Sequence, residues 1–256
     1  MLQVDAVSKS FAGLRALESV SLRVAQGQVV GLIGPNGSGK STLFDIISGF
    51  QRADAGAVTF RGLSIQGRSP NAIATLGLIR TFQLSEGGQR MTAIENLLAS
   101  ARNQIEANLP AAVLRLPRLL AVERENLSRA KEALALLGLS QVANEYLANL
   151  SGGQRKLVDL GRILMAKPQM CLLDEPTAGV SPSLINVIVE ALKVMRRDEG
   201  ITLLIVEHNM QVVGDICEHV YVLDAGVVIS EGTPETIQAD QRVLSSYLGR
   251  GRAVNE

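Results

Sequence analysis

This chain of 256 residues contains no tryptophan and only two cysteines, and aromatic residues make up just 3% of it. Cys171 and Cys217 lack the spacing of a metal-binding pair and lie in apolar or mixed surroundings. We therefore expect both to be reduced thiols of the core, in a protein from a reducing compartment.

Long apolar runs are also missing. No segment reaches the roughly 18–20 apolar residues that a membrane-spanning helix needs. The first residues, MLQVDAVSKSF, do not contain the apolar core of a signal peptide. We expect any membrane role of this chain to depend on a partner protein.

The chain has no excess of either charge, because 25 Lys and Arg residues balance 25 Asp and Glu residues. A broad nucleic-acid-binding surface usually makes a chain basic, so we expect no nucleic-acid partner. The content of 46% apolar and 20% charged residues is that of an ordinary globular protein. The length suffices for one large or two modest domains.

Short apolar segments alternate with helical patterns along most of the chain. Residues 2–25 alternate in polarity, which predicts two strands joined by a turn at Ala12 and Gly13. The segments QVVGLI, QMCLLDE, ITLLIVEH and HVYVLDAG predict buried strands separated by helices, and hence a mostly parallel α/β sheet covered on both faces. Residues 92–148 carry helical periodicity, broken near Pro110 and Pro117, and predict a helical insertion.

A glycine-rich segment, GPNGSGKS at residues 34–41, matches the phosphate-loop pattern G-x-x-x-x-G-K-[ST]. The predicted strand before it and helix after it favour this function over a plain glycine-rich turn. Backbone amides would face the β-phosphate of ATP, Lys40 would reach the β- and γ-phosphates as a catalytic residue, and Ser41 would ligate Mg²⁺. The predicted ATP-binding residues here are Asn36, Gly37, Ser38, Gly39, Lys40, Ser41 and Thr42.

Two acidic residues and a histidine end predicted strands. Asp174 and Glu175 follow an apolar run, and the carboxyl ends of parallel strands are where ligands bind. Asp174 would hold Mg²⁺ through water, and Glu175 would act as general base toward the water that attacks the γ-phosphate. His208 would donate to that phosphate if its strand lies beside the Glu175 strand. A solvated strand end is the alternative for the acids, and a structural role is expected for His219.

A second glycine-rich turn, LSGGQ, includes Ser151, Gly152, Gly153 and Gln154. One interpretation is simply a helix capped by Ser151. The other is an anion site without a lysine, which would close over the γ-phosphate from the side opposite Lys40. If the helical insertion carries this loop away from Lys40, a second chain facing head to tail would supply it. Two chains would then share two ATP molecules.

The ordered set GPNGSGKST, Gln83, LSGGQ, CLLDEP and His208 resembles the nucleotide-binding subunit of ABC transporters over nearly the whole chain. The resemblance implies an ABC-type P-loop NTPase core, at about 1–91 and 157–256, with an N-terminal antiparallel β subdomain. It also implies an inserted α-helical subdomain at about 92–156. By the same resemblance Ser151, Gly152, Gly153 and Gln154 contact the γ-phosphate held by the partner subunit.

The resemblance also assigns two residues outside these loops. It implies that Phe11 stacks on adenine, where a buried strand residue is the alternative. It implies that Gln83 binds Mg²⁺ and senses the γ-phosphate and the membrane partner, where a polar loop residue is the alternative. One departure stands out: after DEPT the family often has Ser-Ala-Leu-Asp, and here Ser181 replaces the aspartate. We therefore expect different coupling between the two ATP sites.

The segments GLIRTFQ, MTAIENLL and VLDAGVVISEGTPETI, with the terminal YLG, resemble ATPases of branched-chain amino-acid importers and their urea and amide relatives. Lipopolysaccharide-export ATPases are similar at the C-terminal end. The resemblance implies a peripheral ATPase at the cytoplasmic face of the inner membrane. Its partners would be two transmembrane permease subunits, a second ATP-binding subunit in a homodimer or, preferably, a heterodimer, and indirectly a solute-binding protein. A permease helix would dock near Leu84, Met91 and Ile94.

ABC ATPases outside transport are the alternative class. DNA-repair and chromosome ATPases share this type of head, but long coiled coils split their heads, and the helical segment here is short and lacks sustained heptads. Translation factors of this type usually carry two cassettes in one chain, whereas this chain has one set of motifs. Both comparisons favour a transport ATPase.

Overall fold

A computed structural model of the protein describes residues 1–81, 88–101 and 117–248. The chain forms two compact units, the first comprising Met1–Thr81, Pro168–Thr177 and Arg196–Glu256, the second Phe82–Lys167 and Ala178–Met195. The predicted functional boundaries near residues 91 and 157 stay a prediction. Gln83, Leu84, Pro110 and the glycine of the YLG motif lie outside the described residues.

An antiparallel sheet opens the first unit, as the alternation of residues 2–25 predicts. Its strands are β1 (Leu2–Phe11), β2 (Leu14–Val24), β4 (Ala55–Phe60) and β5 (Leu63–Ser64), in the spatial order β2-β1-β4-β5. The predicted turn is confirmed: Ala12 and Gly13 both have positive φ, 45° and 89°. Such a two-residue turn matches the twist of a hairpin.

A second, six-stranded sheet forms the centre of the first unit. Its strands are β3 (Val29–Ile33), β6 (Leu78–Arg80), β7 (Met170–Asp174), β8 (Thr202–Val206), β9 (His219–Asp224) and β10 (Val227–Gly232). The spatial order is β10-β9-β3-β8-β7-β6, and all neighbours are parallel except β9 and β10. The predicted, mostly parallel sheet is therefore confirmed. Strands β7 and β8 are neighbours, so their carboxyl ends lie side by side.

Helices supply further residues of the core. They are α1 (Lys40–Ile47), α2 (Pro70–Thr75), α3 (Ala93–Ala99), α4 (Pro117–Leu136), α5 (Gly152–Ala166), α6 (Pro182–Arg197), α7 (Met210–Ile216), α8 (Pro234–Ala239) and α9 (Gln241–Leu248). In the first unit, Phe44 and Ile47 of α1 are fully buried in one cluster with Leu32 of β3. Each such side chain contributes about 1.5–3 kcal/mol of burial free energy. This packing anchors the helix that follows the phosphate loop.

The second unit is helical in its described part. Helices α3 and α5 both begin with a capping box, formed by Thr92 with Glu95 and by Ser151 with Gln154. Gly161 lets α5 pack closely, because a Cβ there would lie 3.0 Å from the side chain of Leu97 in α3. Among the residues that the structure describes, no helix is long and apolar enough to cross a membrane.

Candidate functional site

The phosphate loop joins β3 to α1 and depends on glycine for its shape. Gly34, Gly37 and Gly39 have φ angles of 151°, 76° and 108°, which other residues rarely adopt. A Cβ on Gly39 would lie 2.6 Å from the carbonyl oxygen of Ala16, whereas a Cβ on Gly37 would meet no atom within 4 Å. Gly39 is therefore required by both packing and backbone conformation, and Gly37 by backbone conformation alone.

This contrast predicts different costs for two alanine substitutions. Gly39→Ala should lower the free energy of unfolding by about 3 kcal/mol, because steric overlap adds to backbone strain. Gly37→Ala should cost about 1 kcal/mol, from the strain of a positive φ. Urea unfolding of both variants measures the difference. Equal losses would show that the contact between Gly39 and Ala16 does not constrain the loop.

Lys40 is buried at the first position of α1. Its Nζ donates to the carbonyl oxygens of Gly34, at 2.8 Å, and Pro35, at 3.0 Å. Burial lowers the pKa of Lys40, and the negative charges of Glu175 and Asp174 oppose that shift. The predicted phosphate-binding ammonium and the predicted pair of acids therefore lie close enough to interact.

The other predicted ATP-binding residues of the phosphate loop differ in exposure. Asn36, Gly37 and Ser41 are exposed, and Thr42 is half-buried. Ser38 is fully buried, and in the described part of the chain its Oγ has no hydrogen-bond partner. A buried hydroxyl without a partner is costly, so a phosphate oxygen within reach of this loop would be a favourable acceptor.

Asp174 ends β7 beside an arginine that the sequence analysis missed. Oδ2 of Asp174 accepts a hydrogen bond from Nη2 of Arg80 at 3.0 Å. The same guanidinium forms an ion pair with Asp45 of α1 and lies 5.6 Å from the ring centroid of Phe44. The signal in the sequence was slight: Arg80 ends a short strand, and only the pairing of β6 with β7 brings it to Asp174.

The donor set of Ser41 and Asp174 fits Mg²⁺. Mg²⁺ prefers oxygen ligands and keeps several waters, so one carboxylate, a hydroxyl and substrate phosphates suffice. Within the described ranges, no cluster of three or more His, Cys, Asp or Glu side chains forms an independent metal cage. Gln83, the third predicted ligand, lies outside the described residues.

Glu175 and His208 lie close together, just beyond the ends of the neighbouring strands β7 and β8. This meets the condition set for His208, that its strand lies beside the Glu175 strand. Nε2 of His208 lies 3.0 Å from Oε1 of Glu175, and both side chains are about one-third exposed, at 35% and 31%. Glu175 has a φ of 48°, and its backbone amide donates to the carbonyl of Val206 at 2.9 Å. A left-handed backbone at a non-glycine residue costs about 1–3 kcal/mol and is typical of functional sites.

Glu207, between β8 and His208, is a second residue whose importance the sequence did not reveal. It is only 3% exposed, and both carboxylate oxygens accept hydrogen bonds from backbone or side-chain donors. In the sequence it is simply an acid at a strand end next to a histidine.

Phe11 ends β1 and is not a core residue. The residue is 40% exposed, and Nζ of Lys9 lies 5.3 Å from the ring centroid. An exposed aromatic face is what stacking on adenine requires, and stacking itself remains a prediction. His219 has an edge-on contact with Tyr221, with ring centroids 4.8 Å apart, which suits the structural role expected for it.

The LSGGQ turn forms the start of α5 in the second unit. Ser151 is the N-cap: its Oγ accepts from the amide of Gln154 at 3.3 Å, and its own amide donates to Oε1 of Gln154 at 2.9 Å. Ser151 and Gly152 are exposed, whereas a Cβ on Gly153 would lie 2.5 Å from a methyl group of Leu184. The capped helix start is thus confirmed, and the anion site stays a prediction.

The departure at Ser181 leaves a neutral side chain at the start of α6. Its Oγ lies 3.0 Å from Oγ of Ser183, a contact within the same turn. The preceding carbonyl of Ala178 accepts a hydrogen bond from Nζ of Lys156 in α5. The expected change in coupling between two ATP sites stays a prediction.

Both cysteines are free and buried, as expected for reduced core thiols. Burial raises the pKa of Cys171. Burial, helped by the charges of Glu207 and Glu218, raises the pKa of Cys217 to about 12. A thiol that stays protonated at neutral pH is a poor nucleophile and a poor metal ligand.

Comparisons with known proteins agree with this geometry. Residues 17–178 match the ABC transporter family, and residues 227–253 match the family described as branched-chain amino acid ATP-binding cassette transporter. The chain is 34% identical over 249 residues to the high-affinity branched-chain amino acid transport ATP-binding protein BraF of Pseudomonas aeruginosa. That alignment covers 97% of this chain and 98% of the relative.

Two solved structures are similar in fold and sequence. One is the ADP conformation of an ATP-binding cassette of an ABC transporter, with 37% identity, coverage of 97% of this chain and 98% of that chain, and a TM-score of 0.81. The other is a dimeric, post-hydrolysis ATP-binding cassette bound to ADP and Pi. It shows 26% identity, coverage of 91% and 99%, and a TM-score of 0.74.

Proposed function

The chain belongs to the ABC transporter family, and from that premise we propose that it is the ATPase that powers import of a branched-chain amino acid through a separate permease. The observation that carries the hydrolytic part is the 3.0 Å contact between Glu175 and His208 beside the phosphate loop. The substrate class is supported by the match of residues 227–253 and by the full-length similarity to BraF.

In this proposal the adenine ring of ATP stacks on Phe11, and the phosphates of ATP bind residues 34–42. Lys40 neutralises charge on the β- and γ-phosphates, and loop amides at the start of α1 donate to phosphate oxygens. Ser41 and Asp174 hold Mg²⁺, which supplies further neutralisation of phosphate charge when it is bound.

Hydrolysis uses two residues that follow β7 and β8. Glu175 accepts a proton from a water molecule whose oxygen attacks the γ-phosphorus. His208 donates a hydrogen bond to a γ-phosphate oxygen and so stabilises charge in the transition state. The bond from the γ-phosphorus to the bridging oxygen of ADP breaks as the new bond forms, and ADP and phosphate are the products.

The nucleotide is held by two polypeptides in this proposal. The exposed, capped turn at Ser151 of one chain faces the γ-phosphate bound by its partner. Support comes from the dimeric relative that holds ADP and Pi and from the free N-terminal amides that a helix start presents to anions. Loss of the γ-phosphate removes the link, and the dimer loosens.

We infer that the second ATPase is a related chain rather than a second copy of this one, because the importers that this chain resembles often pair two different ATPases. Two permease subunits and, indirectly, a solute-binding protein complete the system at the cytoplasmic face of the inner membrane. Met91 and Ile94 are half-buried in the second unit. They remain the predicted docking residues for a permease helix, with Gln83 as the predicted sensor.

Reconstitution tests this function. The chain with the related second ATPase and the permeases, placed in proteoliposomes with ATP and Mg²⁺ on the ATPase side, should take up labelled leucine, isoleucine or valine when a solute-binding protein is present. Omitting ATP should abolish uptake. If unlabelled urea or short amides, and not branched-chain amino acids, competed for uptake, the proposed substrate class would be wrong. If the system moved a lipid outward, the proposed import would be wrong.

A further inference from the structure

The carboxylate of Glu207 joins two loops that come from different strands. Oε1 accepts hydrogen bonds from the backbone amide of Thr177, at 2.9 Å, and from its hydroxyl, at 2.6 Å. Oε2 accepts from the backbone amides of His208, at 3.1 Å, and Asn209, at 3.4 Å. Thr177 follows β7 and the other two residues follow β8, so one buried side chain bridges the ends of both strands.

Only a carboxylate satisfies this arrangement. All four groups around Glu207 are donors in these contacts, and a glutamate offers two acceptor oxygens and no hydrogen. A glutamine offers one oxygen and one NH₂ group, so either orientation points a donor at a backbone N–H. Glutamate is rarely this deeply buried unless it is fully paired, and here the pairing is complete.

The two bridged loops carry the proposed catalytic pair. Glu175 lies two residues before Thr177, and its left-handed backbone needs support from its surroundings. His208 directly follows Glu207, which accepts from its amide. We propose that Glu207 is a positioning residue, whose carboxylate ties the Thr177 loop to the His208 loop and thereby keeps the Glu175–His208 pair at hydrogen-bond distance.

The expected loss of ATP turnover rests on the proposed function. The bridging of the two loops by Glu207, and its effect on the His208 ring, do not depend on that function. A merely structural Glu207 would affect stability and all activities together. A positioning Glu207 acts on the mutual placement of Glu175 and His208, so it should reduce turnover far more than ATP binding. It should also alter the environment of the His208 ring in the full chain without any nucleotide.

Glu207→Gln is the test variant, and histidine NMR is the first readout. The chain has only two histidines, so the ring signals of His208 and His219 can be assigned with one substitution each. We expect the His208 ring signals to shift in Glu207→Gln, while those of His219, which packs on Tyr221, stay in place. Glu190→Gln is the matched control, because Glu190 is exposed on α6 and pairs only with Lys193 in the contacts described.

Kinetics provide the second readout. We expect Glu207→Gln to lower kcat for ATP hydrolysis by about 10–100-fold, with the Kd of a fluorescent ATP analogue within about threefold of wild type. Thr177→Val removes only the hydroxyl donor and should lower kcat by about three- to tenfold. The double variant should be no worse than Glu207→Gln alone, because both changes break one shared interaction.

Three outcomes overturn the inference: unchanged His208 signals and kcat in Glu207→Gln, a parallel loss of kcat and ATP affinity with a lower Tm, or additive effects in the double variant. A failure of the proposed catalytic pair looks different. In that case Glu175→Gln would remain active, whereas the His208 signals of Glu207→Gln would still report whether the bridge positions that loop.

Discussion

Glu175→Gln is expected to lower kcat for ATP hydrolysis by about 10³-fold, within the range that general-base catalysis contributes. Glutamine has the shape of glutamate, and its Oε1 still accepts the hydrogen bond from His208 that spans 3.0 Å in the native protein. What it loses is the ability to take a proton from the attacking water. ATP binding should persist, because Lys40 and the loop amides do not depend on that proton.

Phosphate release and binding of a fluorescent ATP analogue measure the two effects separately. Because the γ-phosphate remains, the variant mixed with the related second ATPase, ATP and Mg²⁺ should also accumulate as a dimer in size-exclusion chromatography with light scattering. Glu190→Gln is again the matched control for loss of one carboxylate. Hydrolysis at the wild-type rate in Glu175→Gln would remove Glu175 from the mechanism.

Ser151→Asp is expected to abolish hydrolysis, with a loss of more than 100-fold, while ATP binding to a single chain stays intact. Aspartate caps a helix as well as serine does, and its charge suits the helix N-terminus. It also places a negative charge where the partner's γ-phosphate should lie. Like charges across an interface cost several kcal/mol, and about 1.4 kcal/mol corresponds to a factor of ten.

Ser151→Asn is the matched control, since asparagine is also a good N-cap and has nearly the same size without the charge. It should keep hydrolysis within about tenfold of wild type. Both variants should unfold at a Tm close to that of the native chain. Wild-type hydrolysis should rise steeply with the concentration of the two ATPase chains together, because a shared site requires both. Equal activity of the Asp and Asn variants would contradict an anion at this turn and leave Ser151 a helix cap only.

Several elements of the fold could be predicted because their information is local. The hairpin follows from two alternating segments around Ala12 and Gly13, which adopt the positive φ angles that such a turn needs. The apolar segments that became β3, β7, β8 and β9 were recognisable because buried parallel strands are apolar on both faces. The helix cap at Ser151 was equally local, since its hydrogen bonds with Gln154 span three residues.

The contacts around the acids were not predictable in the same way. Arg80 pairs with Asp174 across 94 residues of sequence and with Asp45 across 35. Glu207 reaches Thr177 across 30. No periodicity encodes such pairs, because they depend on which strands become neighbours and in what register.

The sequence by itself determined the chemistry: a loop with glycines, a lysine and a serine, two acids after an apolar run, and a histidine after another. It did so because these side chains need only the residues beside them to be recognised. The tertiary structure alone decided that β7 lies next to β8, which brings Glu175 to His208 and buries Glu207 between their loops. The physical reason is that strand order arises from the packing of the whole sheet, and distances between side chains on different strands follow from it.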